Sequence, residues 1–166
     1  MRGRGEPAAY WLTGVGDRLF YVAFSRGSGG QGLWTSDGTD EGTHLVTDIR
    51  PGRGSPWPEW LTAVGGHLYF TADGRPGGIE LWTSDGTPVG TRRVADLEPG
   101  RTGSAPRELV DVGGILYFSA ETSATGRELW RSDGTAAGTI LVRDIRPAPE
   151  VDADATPGVG PTGGAR

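Results

Sequence analysis

Three aspartates, Asp37, Asp85 and Asp133, stand 48 residues apart, and each opens the same loop, Asp-Gly-Thr-x-x-Gly-Thr. In the first loop Asp40 and Glu41 join Asp37. Three neighbouring carboxylates raise the chemistry of calcium, which takes about six to eight oxygen ligands. The equivalent loops carry Pro88-Val89 and Ala136-Ala137 in place of the extra acids, so that ligand supply fails in two copies of three. No metal and no cofactor is expected. Glu80 and Glu128 raise a second chemistry, the paired carboxylates of a glycosidase. Equivalent residues of a repeat share one environment, whereas an acid and a base need two different ones. Gly32 replaces the glutamate in the first copy, and only Glu108, Asp111, Glu121 and the first-loop acids break the symmetry. No catalytic residue is assigned. His44 and His67 fall at non-equivalent positions without a GxSxG motif and are expected to be exposed strand residues. Glycine is abundant, but no glycine run opens a helix, so no phosphate cradle is implied.

Recognition by aromatic rings is the remaining chemistry. Trp34, Trp82 and Trp130 keep the 48-residue period. Large aromatics dominate cores, so these three are expected between repeat units, not at a ligand. Trp57 and Trp60 form an aromatic pair particular to one linker, and Pro56 and Pro58 should hold Trp57 exposed. They are the candidate ligand contacts.

The elements that must carry these residues follow from the repeat. Gly32 to Ile49, Glu80 to Leu97 and Glu128 to Ile145 are copies of one another, and a fixed period of this length points to a repeat architecture. Alternating apolar residues and glycine punctuation divide the middle copy into strands over Trp60–Val64, His67–Ala72, Ile79–Ser84 and Thr91–Leu97. Gly65-Gly66 suits a tight hairpin, Gly113-Gly114 repeats it, and Gly16-Asp17 stands in the same place in the first copy. Leu12 to Leu61 is 49 residues while the tryptophans keep 48, which places one extra residue in the loop around Ser25 to Gly30. In the third connection Asp37, Asp85 and Asp133 should accept backbone N–H bonds two residues on. Gly38, Gly86 and Gly134 should supply positive φ, and Thr39, Thr87 and Thr135 should cap the returning strand.

Leu68, Phe70 and Ala72 share one strand face and Tyr69 and Thr71 the other, while Leu81 opposes Glu80, Trp82 and Ser84. A sheet apolar on both faces must lie between two neighbours. No helical pattern interrupts the copies. The expectation is an all-β chain of three four-stranded antiparallel units of about 48 residues, forming an open arc of a β-propeller. The units span residues 10–58, 59–106 and 107–147, after a lead over 1–9. Beyond Pro147 the period fails, since Pro157 stands where a fourth leucine is due, and residues 148–166 are expected to be disordered.

The motifs ELWTSDGT and ELWRSDGT, each followed by GT, a valine, an aspartate and a proline, resemble the bacterial ELWxxDGT repeat family over roughly residues 10 to 147. The resemblance implies a propeller-forming module of secreted or surface-associated bacterial proteins, with no established catalysis.

Composition narrows the partners. The net charge is -5, lysine is absent and cysteine is absent, which argues against a nucleic-acid partner and excludes disulfides and thiolate zinc. No apolar run approaches the ~20 residues of a membrane span. The first residues, MRGRGEPAAYWL, lack an apolar segment of signal-peptide length, and the chain is expected to be a piece of a longer exported protein. Three units cannot close a ring of about four to eight blades, so neighbouring blades or self-association are expected to cover the ends. The expected role is a non-catalytic module for surface recognition or adhesion outside the cell, with a protein or glycan partner. A structural spacer and a glycosidase-like propeller are the alternatives.

Overall fold

The computed structural model describes residues 9–25, 30–50 and 54–145. Among them there is no helix, and hence none long and apolar enough to cross a membrane. Twelve strands form three antiparallel sheets, each built from four strands in chain order. The first sheet holds β1 (Tyr10–Val15), β2 (Arg18–Ser25), β3 (Gly30–Ser36) and β4 (His44–Thr47). The second holds β5 (Glu59–Val64), β6 (His67–Asp73), β7 (Ile79–Ser84) and β8 (Arg92–Arg93). The third holds β9 (Arg107–Val112), β10 (Ile115–Thr122), β11 (Gly126–Ser132) and β12 (Ile140–Arg143). The first strands of successive units lie alongside one another, β1 beside β5 and β5 beside β9. The sheets thus stack face to face as an open, propeller-type arc with the first strands innermost.

Hairpin geometry follows glycine placement. Gly65 and Gly66 take φ of 57° and 81°, which side chains with a Cβ rarely adopt, so the two-residue turn joins β5 to β6 without strain. The extra residue of the first unit falls between β2 and β3. Leu19 pairs with Ser36 as Leu68 pairs with Ser84, although the two leucines are 49 apart and the two serines 48. Residues 26–29 of that connection, the lead through Ala8 and the tail beyond Ile145 lie outside the described residues.

The core consists of two layers between sheets. Leu68, Phe70 and Ala72 pack with Phe20, Val22, Leu33 and Val46 of the first unit. Tyr69 and Leu81, on the opposite face, pack with Leu116, Phe118 and Ala120 of the third. Alternation along β6 therefore sends consecutive residues to different neighbours, and Leu68 through Ala72 are all buried.

The fourth strand of the middle unit is shorter than the sequence suggests, covering Arg92–Arg93 and not Thr91–Leu97. Val94 N–H still bonds Leu81 O at 2.8 Å, but the chain then turns toward Glu80, whose Oε1 accepts from Glu98 N at 3.4 Å. A buried carboxylate replaces the strand partner there. It also accepts from Ser104 N (2.9 Å) and Ser104 Oγ (2.6 Å), fastening the linker to the third unit onto β7. Glu128 repeats the device by accepting from Ile145 N at 3.1 Å. In the first unit the Leu45 side chain fills the space that a Cβ on Gly32 would need.

Candidate recognition site

The Asp-Gly-Thr loops are closed on themselves. Asp85 Oδ1 accepts from Thr87 N at 2.8 Å and from Thr87 Oγ1 at 2.7 Å. Thr87 Oγ1 in turn accepts from Gly90 N at 3.0 Å, and Thr91 Oγ1 donates to Thr87 O at 2.7 Å. Ser84 Oγ caps the other side, bonding Gly86 N at 3.0 Å and Thr91 Oγ1 at 2.7 Å. Asp37 with Thr39 and Asp133 with Thr135 repeat the bonds, and Gly38, Gly86 and Gly134 take φ near 90° in all three copies. The threonine bonds hold each aspartate below the usual carboxylate range. These carboxylates serve the turn. Among the described residues no group of three His, Asp or Glu side chains is placed to share a metal ion.

Glu80 differs from the loop aspartates, because burial pushes its carboxyl up against the opposing effect of the Ser104 bonds. Its partners are a serine and backbone N–H groups of its own linker, so its part is structural. Both histidines are exposed at the starts of their strands, His44 in β4 and His67 in β6.

Trp34, Trp82 and Trp130 lie at equivalent positions of their units, but only Trp82 and Trp130 pack against a layer between units. Trp82 stacks on Phe70 with centroids 6.4 Å apart and packs against the layer between the first two units, and Trp130 packs against the next layer. Trp34 stacks on Tyr21 at 6.4 Å on the outer face of the first unit. All three indole N–H groups are buried with no hydrogen-bond partner among the described residues.

The exposed aromatic cluster is elsewhere. Each first strand carries a bulge, seen as a register shift between Tyr10 and Thr13, between Glu59 and Thr62, and opposite Tyr117 to Ser119 in the third unit. Trp11, Trp60 and Glu108 occupy these bulges, each with φ of 57°. A left-handed conformation at a residue other than glycine costs about 1–3 kcal/mol and persists where the surroundings hold it. Thr13 Oγ1 holds the first bulge between its own Trp11 O (3.3 Å) and Leu61 O of the next unit (3.2 Å). Thr62 Oγ1 does the same between Trp60 O (3.0 Å) and Leu109 O (3.3 Å). Bulges re-aim side chains. Here the result is a pair, Trp11 and Trp60, with ring centroids 5.9 Å apart and planes tilted by 42°. Trp11 is 41% exposed and Trp60 half-buried.

The sequence suggests Trp57 with Trp60, whereas the ring contact of Trp60 is with Trp11 of the preceding unit. Trp60 lies in β5, not in the linker, and alternation and the bulge direct it to its neighbour across the arc. Trp57 remains in the linker and is 55% exposed, with its backbone N–H donating to Ser55 Oγ at 3.3 Å. Its φ of 48° is matched by 42° at the equivalent Ala105, so the twist belongs to the linker and not to the tryptophan. Trp11 is the residue that sequence reasoning missed. The matching Trp-Leu-Thr of residues 11–13 and 60–62 is the signal that could have found it.

No protein-family model matches the chain, and no curated protein matches it. Among solved structures it is similar to one from a structural and mechanistic analysis of two prolyl endopeptidases, with a TM-score of 0.54 and 18% identity. The match covers 80% of this chain and 19% of that one, so this chain spans about a fifth of the protein it matches. At that identity the likeness is one of fold, and it agrees with a propeller-type arrangement.

Proposed function

We propose that the chain is a non-catalytic recognition module of an extracellular bacterial protein, and that it binds a carbohydrate on the Trp11–Trp60 pair. The observation that carries this reading is the pair itself, two indoles from adjacent units held 5.9 Å apart at strained bulges on the innermost strands. The apolar face of a sugar ring stacks on such surfaces, and exposed Glu108, at the third equivalent bulge, offers a hydrogen-bond acceptor for hydroxyls. Support for the absence of catalysis comes from the recurring acids, which are engaged by backbone and hydroxyl groups of their own units. The extracellular setting rests on the resemblance to ELWxxDGT repeats.

The test is a titration of soluble oligosaccharides followed by tryptophan fluorescence and calorimetry. Trp60→Ala and Trp11→Ala should each weaken binding about 2–10-fold, since stacking by an aromatic contributes roughly 0.5–1.5 kcal/mol. Binding unaffected by both variants but lost in Trp57→Ala would move the site to the linker. No glycan binding at all would favour the spacer role, for which the self-bonded Asp-Gly-Thr loops are well suited.

A further inference from the structure

We infer that the two outer faces of the arc are the two halves of one interface, and that the outer face of the third unit docks on the outer face of the first unit of a second copy. The inference does not rest on the glycan-binding reading. It rests on the fact that the same interface occurs twice within the chain.

Each internal junction sets the right-hand face of one unit against the left-hand face of the next. At the first, Val15, Leu33 and Val46 of unit one are buried against Leu68 and Phe70 of unit two. At the second, the equivalents Val64, Leu81 and Val94 are buried against Leu116 and Phe118. The series continues onto the right-hand face of unit three as Val112, Leu129 and Val142, which are 57%, 39% and 45% exposed. A surface that is core in two units lies open in the third. On the left-hand face of unit one, Leu19, Tyr21 and Trp34 stand where Leu68, Phe70 and Trp82 stand in unit two, and they line an open apolar groove.

A glycine contact gives the docking register. A Cβ on Gly86 would lie 3.3 Å from Phe20 Cζ of the preceding unit, and one on Gly134 would fall on the Tyr69 hydroxyl. Phe20 and Tyr69 are equivalent, and the next member of the series is half-buried Tyr117. A Cβ on Gly38, the glycine that would receive it, would have no atom of the described residues within 4 Å. Tyr117 of one copy therefore fits over the first Asp-Gly-Thr loop of another. The contact is heterologous, so it either closes a ring or grows into a filament. Propellers close with about four to eight blades, a range that two copies of three units reach and three copies exceed. The second copy is the occupant, and the assembly is a closed pair.

One contact is missing from this third junction. Thr13 and Thr62 each donate to a carbonyl of the following unit, but Val110 replaces the threonine in unit three. The junction between copies lacks that hydrogen bond and should be the weakest of the set.

The test is the solution mass of the full chain by light scattering at micromolar concentration, expected at twice the chain mass. Tyr21→Asp and Val142→Asp alter the two opposite faces and should each give monomers. Mixed together they should recover a dimer, because one of the two junctions then joins two unaltered faces. Val110→Thr restores the missing donor at both junctions of the closed pair and should lower the dimer dissociation constant roughly 5–150-fold. A wild-type chain that stays monomeric overturns the proposal, as does a filament or a dimer that survives either single variant. Failure of the mixture to recover a dimer while both variants keep wild-type circular dichroism also overturns it. Should the aspartate variants unfold, Val110→Thr decides alone, and an unchanged or weakened dissociation constant overturns the proposal.

Discussion

At the scale of residues, two kinds of carboxylate do opposite things to stability. Asp37, Asp85 and Asp133 are stabilised as anions by hydroxyl and backbone donors, so their folded-state pKa lies below the unfolded one. Their contribution is present above the ordinary aspartate range, near pH 4, and is lost as pH falls through the folded value. Exposure to solvent keeps it modest. Thermal midpoints should therefore fall below about pH 4, and replacing all three aspartates by asparagine should flatten that dependence. Asp85→Ala should cost about 1 kcal/mol in urea unfolding through the lost loop bonds. Glu80 runs the other way. Burial raises its folded pKa, so its contribution falls as pH rises from the unfolded value through the folded one. Glu80→Gln should remove that dependence with little loss of stability. Glu80→Ala, which leaves the Ser104 N–H and hydroxyl without their acceptor, should cost about 1–3 kcal/mol.

At the scale of elements, the Asp-Gly-Thr loop joins turn chemistry to packing between sheets. Gly134 needs its φ of 90° for the turn and its missing side chain for the Tyr69 hydroxyl of the neighbouring sheet. Gly113, also at positive φ, borders open space. Gly113→Ala should therefore cost only the backbone term of about 1 kcal/mol, and Gly134→Ala clearly more, read from paired denaturation curves. The turn itself was legible from Asp85, Gly86 and Thr87, because those bonds are local. The contact with Tyr69 was not, because sheet stacking brings together residues 65 positions apart in the chain. The short β8 has the same origin: the alternation through Thr91 to Leu97 reads as strand, but a buried glutamate from β7 captures the backbone first.

At the scale of the whole molecule, stability is the sum of units and their junctions. Leu81 and Leu129 hold the same place in successive units, yet Leu81 is fully buried and Leu129 is 39% exposed. Leu81→Ala should cost about 2–5 kcal/mol, while Leu129→Ala in the single chain should stay within about 1 kcal/mol. Equilibrium unfolding at concentrations low enough to hold the chain single measures both. Equal costs would mean that the third unit is covered from within the chain.

The sequence by itself determined the repeat, the four strands of each unit, the two apolar faces of the sheets and the self-bonded loops. All of these depend on periodicity or on contacts within a few residues, and both are written along the chain. Tertiary structure decided which face meets which neighbour, and hence that Trp60 lies against Trp11 and not Trp57. It also decided that identical positions, such as Leu81 and Leu129, are core in one unit and surface in another. A repeated sequence gives equivalent residues equal chemistry, but a finite arc gives them unequal neighbours, and burial is set by the neighbours.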